Sequence, residues 1–190
     1  MSKEITFATA LKQATIERMT EDSKVLIFGL GVPDPKGVFG TTDGLQELFG
    51  PERVFDTPLS ENAMTGFAIG LALSGSRPIL THQRLDFALV SMEQLVNQAS
   101  KWKYMFGDTM SCPMVVRMII GRGWGQGPQH SQSLQSWFAH IPGLKVYMPA
   151  TPIDAKNLMN LALRGSDPVI FLEHRWLHFQ KGEVYNISSD

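Results

Sequence analysis

At 190 residues, 43% hydrophobic and 18% charged, the chain has the composition of one globular domain with a proper core, not of a disordered segment. Its formal net charge of −1 gives no basic field for nucleic acid and no cationic face for a membrane surface, and no run of about eighteen apolar residues is present to cross a bilayer. The single cysteine, Cys112, excludes an internal disulfide, and the start Met1–Phe7, with an acid at Glu4, is not a secretion signal; both point to the cytoplasm.

Apolar spacing alternates between helical and strand periods along the chain. Phe7, Ala10, Leu11, Ala14 and Met19 form a helical stripe, followed by a short buried strand over 24–28. Thr41–Phe49 reads as a short helix closed by Gly50-Pro51, 53–56 as a strand, and Glu61–Leu73 as a helix ended by Ser74-Gly75. A strand over 78–82 precedes a long helix over 86–106, with Asp86 as its N-cap. A strand over 114–120 leads into a glycine-rich loop and a helix over 134–139. A strand over 144–148, a helix over 152–163 with Pro152 in its first turn, and a strand over 169–173 complete the order. Six short strands separated by helices predict a doubly wound, mostly parallel six-stranded α/β sheet with helices on both faces, in a single domain over 1–190 without repeat or linker. Asn186-Ile-Ser188 matches a glycosylation acceptor, which carries no weight without a secretion signal.

That fold class hosts many chemistries, but it places ligands beyond the carboxyl ends of the strands. The segments there are Gly29–Gly40, Thr57–Glu61, Gln83–Phe87, Gly121–Gln132 and Pro149–Pro152. Ser60 is a natural N-cap, which puts Glu61 at the first helical position. There its carboxylate either complements the helix dipole or, if buried, shares a proton with a ring nitrogen of a ligand. Ala63, Gly66, Ala68, Gly70 and Ala72 give the following helix a small-residue face, for close packing on its own sheet or for a subunit contact. Phe87 offers a flat face for a heterocycle, or a core side chain under the long helix. The loop Gly121-Arg-Gly-Trp-Gly-Gln-Gly-Pro-Gln-His-Ser-Gln132 has the amides of a phosphate cradle. A dinucleotide fingerprint needs an acid roughly twenty residues on, and none lies between Asp108 and Asp154. His130 is the titratable group of that loop, suited to proton transfer near neutral pH or simply solvated. The five histidines show no ligand spacing with Cys112, so no metal site is expected.

Taken together, Asp56-Thr-Pro-Leu-Ser-Glu61, Arg77-Pro-Ile79, Gln83 with Asp86-Phe87, and Gly127-Pro-Gln-His-Ser-Gln132 resemble the β-subunits of 2-oxo acid dehydrogenase E1 components. The resemblance continues through Phe138–Val146, Asp154-Ala-Lys156 and Asp167–His174, in one order from about Thr6 to His174. It implies the pyrimidine-binding domain of the thiamine-diphosphate-binding fold. The cofactor, thiamine diphosphate, then lies between this chain and an α-type E1 subunit that holds the diphosphate through magnesium. Glu61 falls at the glutamate that bonds the pyrimidine ring nitrogen and favours the imino tautomer needed to deprotonate the thiazolium carbon C2. Phe87 falls at the ring-stacking position, Leu59 and Gln83 at pyrimidine contacts, and His130 at a histidine that handles the acyl group or passes it to a lipoyl carrier. The resemblance also implies self-association, an α2β2 heterotetramer, a lipoyl-bearing acyltransferase as further partner and, in some members, potassium held by carbonyls near Met114 and 162–167.

The chain departs from the pattern in three places. Leu30 stands where an acid is usual, Gly40 replaces a common arginine, and the chain ends at Asp190 with no counterpart of the family's C-terminal domain. A Gly-Asp-Gly magnesium motif is absent, as a β-type chain implies. Expected, therefore, is half a cofactor site, in a shortened or naturally split subunit. A transketolase-like or acyloin-forming transferase needs the same Glu61 and Phe87, and a non-catalytic partner subunit is the alternative from another class.

Overall fold

The computed structural model describes residues 3–123 and 125–185; Trp124 in the glycine-rich loop and the Asn186–Ser188 acceptor lie outside the described residues. β1 (Lys3–Thr6) runs into α1 (Phe7–Glu21), whose first turn is capped by the Thr6 hydroxyl accepting from Thr9 N–H at 3.1 Å. The main sheet contains β2 (Val25–Phe28), β3 (Val54–Phe55), β4 (Arg77–His82), β5 (Val115–Ile120), β6 (Lys145–Tyr147) and β7 (Val169–His174). Its order is β3-β2-β4-β5-β7-β6, and every pair is parallel. Between the strands lie α2 (Leu45–Phe49), α3 (Glu61–Leu73), a helical run over 85–105 that ends in α4 (Ser100–Met105), α5 (Gln135–Ala139) and α6 (Pro152–Arg164).

Alternation along the strands sorts the core into two layers, one per sheet face. Ile27, Ile79, Val115, Ile119 and Phe171 pack with α1 and α6, while Phe28, Leu80, Val116, Met118 and Leu172 pack with α3, the 85–105 run and α5. The six expected strands are all present, and every expected helix has a counterpart, although some are shorter. One pairing was not legible: β8 (Lys181–Val184) returns to pair antiparallel with β1 as a separate two-stranded sheet.

Three local readings need correction. The helix expected over Thr41–Phe49 begins only at Leu45, after Gly44 at φ 77°. Thr41 is drawn away by burial: its hydroxyl donates to Val38 C=O and accepts from the Arg117 guanidinium at 2.7 Å. Asp86 does not cap the long helix. That run opens as a 3-10 turn at Leu85, and the buried Asp86 carboxylate accepts from Gln132 N–H (3.3 Å) and from the Gln132 side-chain amide (2.8 Å). The run is also irregular at its centre, with π-type winding over Gln94–Ala99. Ser60 occupies the N-cap position of α3, yet its hydroxyl makes no capping hydrogen bond.

Between β2 and α2 the chain makes a left-handed turn at Gly37–Gly40, with Val38 at φ 39° and Phe39 at φ 58°. Such positions cost about 1–3 kcal/mol each for non-glycine residues, so the surroundings must hold them. They do: Thr42 Oγ1 donates to Val32 C=O at 2.7 Å, and the Phe39 ring stacks on His178 with centroids 5.5 Å apart. His178 is fully buried and bonds Glu173 Oε2 (3.1 Å), which with Oε1 receives Arg117 in a two-pronged ion pair at 2.9 and 2.6 Å. This network lies on the α1 face of the sheet and ties the strained turn to β5 and β7.

Candidate functional site

The carboxyl ends of β2, β3 and β4 converge on one edge. Gly29, at φ 149°, brings the backbone so close to β4 that a Cβ would lie 2.2 Å from Thr81 O; glycine is required there. Asp56, leaving β3, accepts from Gly31 N–H (2.9 Å) and Thr57 N–H (2.8 Å), which fixes the β2 and β3 exits against each other. Beneath α3, Phe28 stacks on Phe55 at 5.0 Å and meets Phe67 edge-on at 5.5 Å, so an aromatic cluster seats the helix that begins with Glu61.

Glu61 is partly buried and lines a small cleft together with Leu30, Met64, His82, Gln83 and Phe87. The Gln83 side-chain amide donates to Leu30 C=O at 3.1 Å, bridging β4 to the β2 exit. Phe87, also partly buried, meets His130 edge-on with centroids 5.3 Å apart and planes at 88°. Three of the expected site residues, Glu61, Gln83 and Phe87, therefore share one cleft, and His130 adjoins it through Phe87. Leu59 does not line the cleft; it is 74% exposed on the segment before α3. His130 is brought in by a loop held at several points. Gly121 and Gly123 leave no room for side chains against His174 and Trp176, where a Cβ would come within 2.7 and 2.6 Å. Arg84 Nη2 donates to Gln126 Oε1 at 2.7 Å, and Asp86 takes Gln132.

A larger cavity, about 630 Å³, adjoins this cleft, lined by Gly31, Phe39, Gln83, Arg84, Ile119 and Phe179 and sharing Gln83 with it. Residues of the edge that sequence reasoning passed over are His82 and Thr65, both buried, and Arg84. A single histidine at the end of a strand gave no period or spacing by which to find it.

Residues 3–179 match the family described as transketolase, pyrimidine binding domain. The chain belongs to this family. Among curated relatives, it is 45% identical over 181 residues to the 2-oxoisovalerate dehydrogenase subunit beta of Bacillus subtilis (strain 168), covering 95% of this chain and 55% of that one. It is 43% identical over 194 residues to the acetoin:2,6-dichlorophenolindophenol oxidoreductase subunit beta of Cupriavidus necator, covering 97% of this chain and 57% of that one. Among solved structures, a split gene transketolase described as an inactive beta4 tetramer superposes with a TM-score of 0.71 at 20% identity, over 90% of this chain and 52% of that one. That likeness shows the fold. The chain spans about half the length of the curated relatives it matches.

For a pyrimidine-binding domain the donor set suits a flat, nitrogen-bearing ring: a carboxylate, a side-chain amide and an aromatic face in one cleft. Among the described residues no group of three or more His, Cys, Asp or Glu side chains is placed to hold a metal ion. In the stretch that the resemblance links to potassium, Arg77 donates to the carbonyls of Leu163 (3.2 Å) and Gly165 (2.8 Å), and Met114 C=O accepts from Val169 N–H (2.9 Å). Gly66, on the small-residue face of α3, packs near Gln94, where a Cβ would lie 3.3 Å from its side-chain oxygen, whereas Gly70 faces open space. Among the described residues no helix is long and apolar enough to cross a membrane.

Proposed function

We propose that this chain is the pyrimidine-binding part of a β-type subunit of a thiamine-diphosphate-dependent 2-oxo acid dehydrogenase. The observation that carries the reading is the shared cleft of Glu61, Gln83 and Phe87 at the carboxyl edge of a parallel sheet, in a chain similar to two dehydrogenase or oxidoreductase β-subunits. When bound, thiamine diphosphate supplies the electron sink for breaking a bond next to a carbonyl carbon. The chain's own residues do the rest of the work at the ring. Glu61 accepts a hydrogen bond from the protonated pyrimidine nitrogen and shares its proton, which a titratable carboxylate can do and a neutral amide of similar shape cannot. Phe87 carries the ring face, and Gln83 contacts its edge; Leu59, outside the cleft, takes no part in this reading. His130 moves a proton at the oxygen of the acyl group later in the cycle.

The diphosphate and magnesium belong, in this reading, to an α-type partner in an α2β2 assembly, with a lipoyl-bearing acyltransferase as acceptor. The chain self-associates, and it is inactive until the α-type subunit is added. Cys112, a free buried thiol, supports a reducing compartment, the cytoplasm. Co-expression with the α-type subunit and assay of thiamine-diphosphate-dependent decarboxylation across a panel of 2-oxo acids tests the function. Turnover that vanishes in Glu61→Gln is expected. Turnover confined to acyloins such as acetoin would favour the acyloin-type reading instead, and Glu61→Gln with full activity would refute the role of the cleft.

A further inference from the structure

Glu61 opens α3 in a turn that lacks the usual fastening, because the Ser60 hydroxyl makes no cap. The main chain of that turn, and with it the base of the Glu61 side chain, is held from one turn further on. One helical turn on, Thr65 is fully buried and its hydroxyl donates to Glu61 C=O at 2.8 Å. A threonine hydroxyl has a single proton, and it is used in that bond. The remaining contact of Thr65 Oγ1, at 3.3 Å to His82 Nε2, therefore requires the proton to come from the ring. His82 is then the Nε2-protonated tautomer, and the hydrogen-bond chain runs from His82 Nε2–H to Thr65 O–H to Glu61 C=O.

His82 is the last residue of β4, 4% exposed, and it lines the same cleft as Glu61, Gln83 and Phe87. Its neighbours on that face of the sheet are apolar, among them Leu80, Phe28 and Met118, so an aliphatic side chain would fill the place without the cost of burying a polar ring. Burial lowers its pKa to about 4, which keeps the ring neutral and its single proton on the chain just described. Gln83 follows directly on the strand. One strand end thus contacts the helix turn that carries Glu61 and also carries the amide that lines the same cleft.

We propose that His82 is a positioning residue for Glu61, acting through the Thr65 hydroxyl to hold the first turn of α3 at the distance the cofactor ring needs. The proposal rests on the reading of Glu61 given above. The test measures hydrogen–deuterium exchange at C2 of thiamine diphosphate in the chain assembled with its α-type partner. His82→Phe and Thr65→Val are each expected to slow exchange about tenfold or more, since misplacement by about 1 Å costs up to about a hundredfold, while cofactor affinity and thermal midpoint change little. His82→Gln and Thr65→Ser, which keep a donor and a hydroxyl, are expected to recover most of the rate. Glu61→Gln is the reference. If it stops exchange while His82→Phe and Thr65→Val stay within about twofold of the parent, the positioning role is wrong and the function stands. If Glu61→Gln itself leaves exchange unchanged, the function fails first. Nitrogen-15 spectra of the parent chain decide the tautomer independently, even if a variant does not fold: an Nε2-protonated neutral ring is expected, and an Nδ1-protonated ring overturns the proposal.

Discussion

Replacing Glu173 with glutamine probes the buried network on the α1 face of the sheet. Glu173 and Arg117 are each 1% exposed, and Glu173 receives both Arg117 and His178. Burial by itself pushes the Glu173 carboxyl up, but the Arg117 charge and the His178 and Arg117 hydrogen bonds outweigh it and hold the group down at about 2, against 4.5 for an ordinary glutamate. Glu173→Gln leaves the Arg117 charge stranded, a loss of about 3–5 kcal/mol, or a fall of about 6–20 °C in Tm for a chain of this size. The pH dependence has a definite sign. The folded pKa is depressed, so the stabilisation, about 3 kcal/mol, is complete above pH 4.5 and is lost as pH falls toward about 2. Thermal and urea unfolding followed by circular dichroism measure both effects, and the acid limb should shrink in Glu173→Gln. The double variant Arg117→Met with Glu173→Gln should recover much of the loss, because removing both charges removes the stranded one. Equal destabilisation of single and double variants would refute the charge argument.

His130→Ala is expected to leave C2 exchange intact and to slow the later acyl-transfer step; lost cofactor binding would mark His130 as a loop-shaping residue instead. His82 is held near 4 by burial, so between pH 6.5 and 4 the unfolded chain takes up this proton first and stability falls; His82→Gln should flatten that part of the stability profile relative to the parent. Burial also pushes the Cys112 thiol up to about 12, so a thiol reagent at pH 8 should label the native chain very slowly and the urea-unfolded chain at once.

Much of this architecture was legible because its signals are local. The strands are short apolar runs punctuated by glycine, proline and polar turns, and α6 announces itself with Pro152 in its first turn, where Thr151 and Asp154 form a capping box. What escaped is non-local. β8 has nothing in Lys181–Val184 to say that it pairs with β1 at the other end of the chain. Asp86 looks like a cap by position, but Gln132, forty-six residues away, claims its carboxylate. Thr41 belongs by pattern to a helix and by energy to a buried arginine. At the site, Glu61 and Phe87 stood out because each sits at a strand exit or helix start. The His82–Thr65 link joins a strand to a helix seventeen residues apart and leaves no pattern in the sequence.

On the proposed function, this chain holds the ring of the cofactor and an α-type partner holds the diphosphate. Stacking on Phe87 and one hydrogen bond to Glu61 contribute about 2–4 kcal/mol together, before the cost of association is counted. That corresponds to a Kd of about 1 mM or weaker for the chain alone. Calorimetric titration of thiamine diphosphate with magnesium into the purified chain, and then into the chain mixed with its α-type partner, measures it directly. No resolvable binding at micromolar concentrations alone, and clear binding once the partner is present, is the expected result; micromolar affinity in the isolated chain would contradict the half-site.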